Sequence, residues 1–293
     1  MPLGGPIPEQ FLTIVAAATV FTVMFDLGLG IVLREFRWVW RHPGSIVKGL
    51  FSVLIAVPAI ALAVTRVFDL SRSVEIGIVL MAISPGAPVA LRRSLDAGGH
   101  RSFAPALQIL LAVLAVVSMP LTIAVLNAFY AGKATIAPGE LARQVFVAQL
   151  LPLSLGMLTR RFVPERATSW LGPKLARFAN ILLIALTILV LVDVWGTVVD
   201  AGPKIALAIA IVTVLALAVG HWLGGPDPGT RTAVAISSAM RNPGLALLVI
   251  ALNGAPPAMS ATVLAYLVVS AFIVIAYVLW RRRAVPGVVG ERK

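Results

Sequence analysis

The chain has 293 residues, with 24 Lys and Arg against 12 Asp and Glu, a formal charge of +12, 59% apolar residues and only 12% charged ones. That charged fraction is about half of what a soluble domain carries, so a water-soluble fold of this size, a disordered chain and a collagen-like one are all excluded. The absence of cysteine removes disulfides, thiol chemistry and cysteine metal sites. What remains is a polytopic helical membrane protein. The opening MPLGGPIPEQ lacks a basic segment and the apolar run behind it is long, so no cleaved signal peptide is expected.

A membrane helix needs about 20 mostly apolar residues. Read in chain order, apolar runs bounded by charge, Pro and Gly predict nine spans: 10–33, 44–67, 72–95, 102–130, 141–160, 174–194, 204–222, 230–254 and 257–280. Loops are too short for a soluble receptor or catalytic domain. Two spans are interrupted. The third carries Ser84, Pro85, Gly86, Ala87 and Pro88 in its middle, and the eighth carries Ser237, Ser238, Arg241, Asn242, Pro243 and Gly244.

The basic residues are sorted by these spans. Eighteen Lys and Arg fall in the loops after spans one, three, five and seven and in the C-terminal tail; five fall on the other side, and Arg241 lies within a span. The positive-inside rule places the eighteen in the cytoplasm, with the N-terminus outside and the C-terminus inside a cytoplasmic (inner) membrane. Charge spread over several loops, without interleaved aromatic residues, fits anionic lipid contact rather than nucleic acid. The six Trp residues fall near predicted span ends, where interface anchoring accounts for them.

Broken helices in hydrocarbon must satisfy their freed backbone groups inside the protein. Two breaks in oppositely directed spans, each followed by a long apolar helix, fit an inverted repeat whose discontinuous helices cross near the midplane; a pair of Pro-kinked helices is the competing reading. Helix ends at a crossing offer N–H groups to anions and carbonyls to cations.

These residues carry a family resemblance. Met24-Phe25-Asp26-Leu27-Gly28-Leu29, followed by Phe36, Val39 and Pro43, resembles a Met-Phe-x-Met-Gly-Leu segment of the bile acid:sodium symporter family. Ser84-Pro85-Gly86-Ala87 resembles its Cys-Pro-Gly-Gly stretch. Leu151 to Met157 resembles its Leu-Pro-x-x-x-Gly-Met segment, and Met240-Arg241-Asn242-Pro243-Gly244-Leu245-Ala246 resembles its Met-Gln-Asn-Ser-Gly-Leu-Ala stretch. The resemblance runs through nearly the whole chain. It implies a panel domain (helices at about 10–33 and 141–194) and a core domain (about 44–130 and 204–280), in a nine-helix form without the extra N-terminal helix of ten-helix members.

The resemblance also exposes departures. Where the family places a Ser-Asn pair for sodium, this chain has Ala90 and Leu91; a family Thr falls near Gln108, a Glu becomes Ser237 and a Gln becomes Arg241. Hydrocarbon offers no ligand oxygen and a guanidinium repels a cation, so sodium coupling is expected to be degraded. Arg241 either neutralises a carboxylate substrate or serves as a structural partner of an acid or of broken-helix carbonyls. Asp26 lies roughly 12 Å inside the span, eight residues before the basic loop; it is either a proton-coupling or gating carboxylate or a static hydrogen-bonded acid. Gln108, Ser84, Ser237, Ser238 and Asn242 are candidates for substrate contact, the serines having the alternative role of satisfying freed carbonyls. Pro85, Gly86, Pro88, Pro243 and Gly244 shape the crossing backbone, and Gly28, Gly86 and Gly244 permit close approach or local freedom.

The expected function is secondary transport of a small organic anion, with a proton, sodium or no coupling ion. The alternative is a non-transporting ligand-binding sensor or interaction protein. No nucleophile–base set, dispersed-His metal cluster, Walker sequence or dinucleotide fingerprint is present, so no enzyme, cofactor or ATP drive is expected.

Overall fold

The computed structural model describes residues 8–30, 41–86, 88–129, 137–200 and 202–284. Phe36, Val39, Trp38, Trp40 and Ala87, together with the basic residues Arg34, Arg37, Lys133, Arg292 and Lys293, lie outside them. Every regular element described is helical: α1 (Glu9–Gly30), α2 (Pro43–Val67), α3 (Arg72–Ile83), α4 (Pro88–Asp96), α5 (Phe103–Phe129), α6 (Pro138–Phe162), α7 (Glu165–Asp193), α8 (Trp195–Asp200), α9 (Gly202–Leu223), α10 (Pro228–Ala239), α11 (Pro243–Leu252) and α12 (Pro257–Ala284).

Proline writes many of the starts. Pro43, Pro88, Pro138, Pro228, Pro243 and Pro257 each open a helix, where the missing N–H would have no intrahelical partner anyway. Inside a helix, proline leaves a different mark. Pro58 and Pro152 each follow a widened turn, Ser52–Ala56 and Phe146–Leu150, in which bonds run five residues back, Val57 N–H to the Ser52 carbonyl and Leu151 N–H to the Phe146 carbonyl. The wider turn relieves the clash between the ring and the preceding carbonyls.

Among the described residues, eight segments are long and apolar enough to cross a membrane, one of them Pro228–Leu252 with its interruption. The expected third span, 72–95, is two helices, α3 and α4, each too short alone. The sixth begins earlier than expected, at Glu165 instead of 174, and carries Pro173 in its interior. Gly172-Pro173 therefore does not stop the helix. The donor lost to Pro173 falls in an exposed stretch around Arg166, Ala167 and Trp170, where the freed carbonyl can find other partners. Large apolar side chains stand exposed along the long helices, as at Ile181, Ile184, Ile188 and Val192 on α7 or Val117, Leu121 and Val125 on α5. Lipid is the solvent such surfaces suit. Threonines inside the spans bond back to their own helix, as Thr19 to Val15 O and Thr213 to Ile209 O, so they add no unpaired polar group to the apolar interior.

The helices form two compact units. In the first, comprising α1, α5 from Val116, α6, α7, α8, α11 and α12 as far as Leu264, α1 packs on the second half of α6, on α7 and on α11. The α1–α6 seam is tight at two glycines: a Cβ on Gly28 would strike the Leu153 carbonyl, and one on Gly156 the Phe25 carbonyl. Arg160 Nη1 donates to Leu29 O across the same seam at 2.9 Å. Asn253 donates to Gln144 Oε1 at 2.9 Å, tying the end of α11 to α6.

The second unit holds α2, α3, α4, α5 to Ala115, α9, α10 through Asn242 and α12 from Ala265. Its apolar cluster joins Ile46 and Val53 of α2, Phe103, Leu107 and Leu111 of α5, and Ala233 and Val234 of α10. At one end of α12, Arg281 is buried and donates to Thr232 Oγ1 (2.8 Å) and Pro228 O (2.9 Å) at the start of α10.

Candidate functional site

The second unit contains a buried polar layer, built where two helices stop. α3 ends at Ser84 because Pro85 drives the residue before it out of the helical region; Ser84 sits at φ −95° and ψ 80°. Its N–H turns to Met81 O, and its hydroxyl takes the Leu80 carbonyl that the N–H would otherwise serve, at 2.6 Å. Gly86, at φ +82°, makes the turn that lets Pro88 open α4.

α10 supplies the second break. It is started by Asp227, whose carboxylate accepts the Thr230 N–H at 2.7 Å, and it ends at Ala239 with Met240 already extended at ψ 118°. Pro243 holds Asn242 out of the helix and begins α11. The two breaks meet directly: Asn242 N–H donates to Ser84 O at 2.9 Å, with both residues buried.

Around this contact the side chains pair across elements. Gln108 Nε2 on α5 donates to Ser237 Oγ at 3.3 Å, and the Ser52 and Ser238 hydroxyls share a hydrogen bond at 2.8 Å. Arg241 is 4% exposed and sends Nη1 and Nη2 to Val53 O, at 3.2 and 3.3 Å. Its Nε and Gln108 Oε1 are buried with no hydrogen-bond partner among the described residues. No carboxylate among the described residues pairs with Arg241. Fully buried Tyr266 belongs to the same unit. Burial of an uncompensated cation costs several kcal/mol, so this layer carries a standing demand for negative charge or for acceptors.

Ser84, Pro85, Gly86, Gln108, Ser237, Ser238, Arg241 and Asn242 thus belong to one unit, and the hydrogen bonds above knit most of them together. Pro243 and Gly244 are buried at the start of α11, in the first unit, as is half-buried Asp26 on α1. Pro88 opens α4. At the positions where the resemblance places sodium ligands, Ala90 is fully buried and Leu91 packs on the apolar cluster. Ser52, the Val53 carbonyl and Tyr266 were not expected at the site. The signal for the first two was Pro58, which unsettles the backbone bonds of the turn before it.

Apolar helices long enough to span, two of them broken and meeting at a buried polar layer, define a multi-pass helical membrane protein. Among the described residues no group of three or more His, Asp or Glu stands arranged to hold a metal. Residues 17–201 match the Sodium Bile acid symporter family, and the chain belongs to that family. It is 24% identical over 252 residues to an uncharacterized sodium-dependent transporter, YocS, of Bacillus subtilis, covering 83% of this chain and 76% of that protein. It is 22% identical over 274 residues to the probable sodium/metabolite cotransporter BASS2, chloroplastic, of Oryza sativa subsp. japonica, covering 90% of this chain and 63% of the relative. The P3 protein of Homo sapiens is 24% identical over 243 residues, covering 80% of this chain and half, 50%, of that protein.

Proposed function

We propose that this protein moves a small, amphipathic organic anion across the cytoplasmic membrane by alternating access, without the sodium coupling named for two of these relatives. Nine spans are counted in this reading, the interrupted 72–95 segment included, with the N-terminus outside and the C-terminus in the cytoplasm. Panel helices at 10–33 and 141–194 and core helices at 44–130 and 204–280 move against each other, while the basic cytoplasmic loops rest on anionic lipid headgroups. The observation that carries the reading is Arg241, a buried guanidinium without a carboxylate partner among the described residues, beside two helix breaks joined by Asn242 N–H and Ser84 O. A guanidinium has five N–H donors, and Val53 O engages only its Nη edge, so Nε and the remaining N–H groups are left for a carboxylate or sulfonate. Gln108, Ser237, Ser238 and Asn242 supply neutral polar contacts around it.

Sodium fits poorly in the same place. Ala90 and Leu91 bring only hydrocarbon, and Arg241 brings a fixed positive charge. The test is uptake into proteoliposomes of organic anions first selected by thermal stabilisation of the purified protein, with sodium and pH gradients imposed separately. Uptake and counterflow that persist unchanged in sodium-free buffer are expected; uptake that requires a sodium gradient overturns the sodium-independent reading, and ligand stabilisation without counterflow turns the protein into a sensor.

Asp26 enters this reading as a proton-coupling or gating carboxylate on α1. Asp26→Asn protein is expected to lose the dependence of uptake on an imposed pH gradient while retaining counterflow at symmetric pH. Identical profiles in native and variant protein assign Asp26 a static role.

A further inference from the structure

The Val53 carbonyl explains why Arg241 points where it does. In the widened turn of α2, Val57 N–H bonds Ser52 O, five residues back. Continued by one residue, the pattern would give the Val53 carbonyl the N–H of residue 58. Residue 58 is proline and has none. A buried carbonyl without a donor costs about 1–3 kcal/mol in general terms, and Val53 is fully buried in the apolar cluster of its unit. The donors it receives are Nη1 and Nη2 of Arg241, from 188 residues further along the chain.

We infer that Pro58 and Arg241 form one device: a proline that opens an acceptor on α2, and a tethered cation that fills it and holds the second helix break against that helix. Arg241 acts here as a positioning residue. The charge that organises the polar layer is covalently attached and cannot dissociate, so the junction of α2 with the 240–242 break stays assembled in the absence of any bound cation. This assignment stands on the α2 geometry and is independent of whether the protein transports an anion. The neighbouring hydroxyl pair, Ser52 with Ser238 at 2.8 Å, joins α2 to the last turn of α10 and braces the junction from the adjacent residue on α2.

The device predicts thermodynamic coupling between two residues remote in sequence. Purified full-length protein in detergent is compared as native, Arg241→Gln, Pro58→Ala and the double variant, by unfolding midpoint in sodium chloride and in choline chloride. Arg241→Gln is expected to lower the midpoint, and the loss is expected to be at least halved in the Pro58→Ala background, where the backbone N–H of residue 58 can serve the Val53 carbonyl. The native midpoint is expected to be the same in both salts. Equal losses in the two backgrounds overturn the proposal, as does a native protein that needs sodium for its stability. Should Arg241→Gln not yield folded protein, Arg241→Lys, which keeps charge and a donor but not the fork, takes its place in the cycle with the same criterion. Transport assays on the same proteins separate the two readings, since coupling can hold in a protein that moves no anion and can fail in one that does.

Discussion

Valine at Gly156 or at Gly28 is expected to keep the first unit from assembling in its native packing. α1 and α6 touch backbone to backbone there. A Cβ at Gly28 would strike the Leu153 carbonyl oxygen and stand 3.0 Å from Met157 N; one at Gly156 would strike the Phe25 carbonyl oxygen and stand 2.9 Å from Leu29 N. The obstacles are main-chain atoms of two helices, so no rotamer change relieves them and the helices must move apart. Overpacking a close-packed interior usually costs about 1–3 kcal/mol and occasionally more, and obstacles that cannot turn aside place these two positions at the upper end. Separation also stretches the Arg160 bond to Leu29 O. The comparison is Gly30→Ala on the same helix, where an added Cβ meets nothing within 4 Å. Yield of monodisperse protein and its unfolding midpoint are the measurements: a steep loss at 28 and 156 with none at 30 is expected, and a native midpoint for Gly156→Val refutes the close approach.

That seam was half legible in advance. Gly28 stood out within an apolar run as a place for close approach, but its partner Gly156 could not be paired with it from spacing alone, because the two are brought together by tertiary packing. The breaks were the most readable feature. Ser84-Pro85-Gly86 and Asn242-Pro243-Gly244 each combine a residue held out of the helix by the following proline with a glycine, and such local constraints survive whatever surrounds them. Pro173 and Pro120 mark the limit of that logic: inside α7 and α5 the same residue type leaves the helix running, at an exposed position in one and a buried position in the other. The partner of Arg241 was legible only as a class, broken-helix carbonyls, and the carbonyl itself came from elsewhere. Which oxygen on α2 is orphaned depends on whether the turn before Pro58 takes four- or five-residue bonds, a choice made by packing around Ser52 and Val53. Orientation of half-buried Asp26 was beyond reach for a related reason, since periodicity on a helix apolar nearly all round does not single out a face.

The second large effect is expected from a single backbone atom. Asn242→Pro removes the N–H that donates to Ser84 O, the one backbone hydrogen bond between the two breaks among the described residues. Ser84 is fully buried, so its carbonyl is left facing an interior with no water to replace the donor, at a general cost of about 1–3 kcal/mol. Its hydroxyl cannot compensate, because it is already committed to Leu80 O at 2.6 Å and is a donor there. Asn242→Ala deletes the side chain but keeps the N–H, and so isolates the backbone contribution. The proline variant is expected to lose both thermal stability and anion counterflow. The alanine variant is expected to lose much less of its midpoint than the proline variant. Two variants with the same midpoint would mean that the meeting of the breaks contributes nothing to holding the layer together, and the crossing would then be a consequence of packing elsewhere in the unit, around Leu107, Leu111 and Val234, rather than its organising contact.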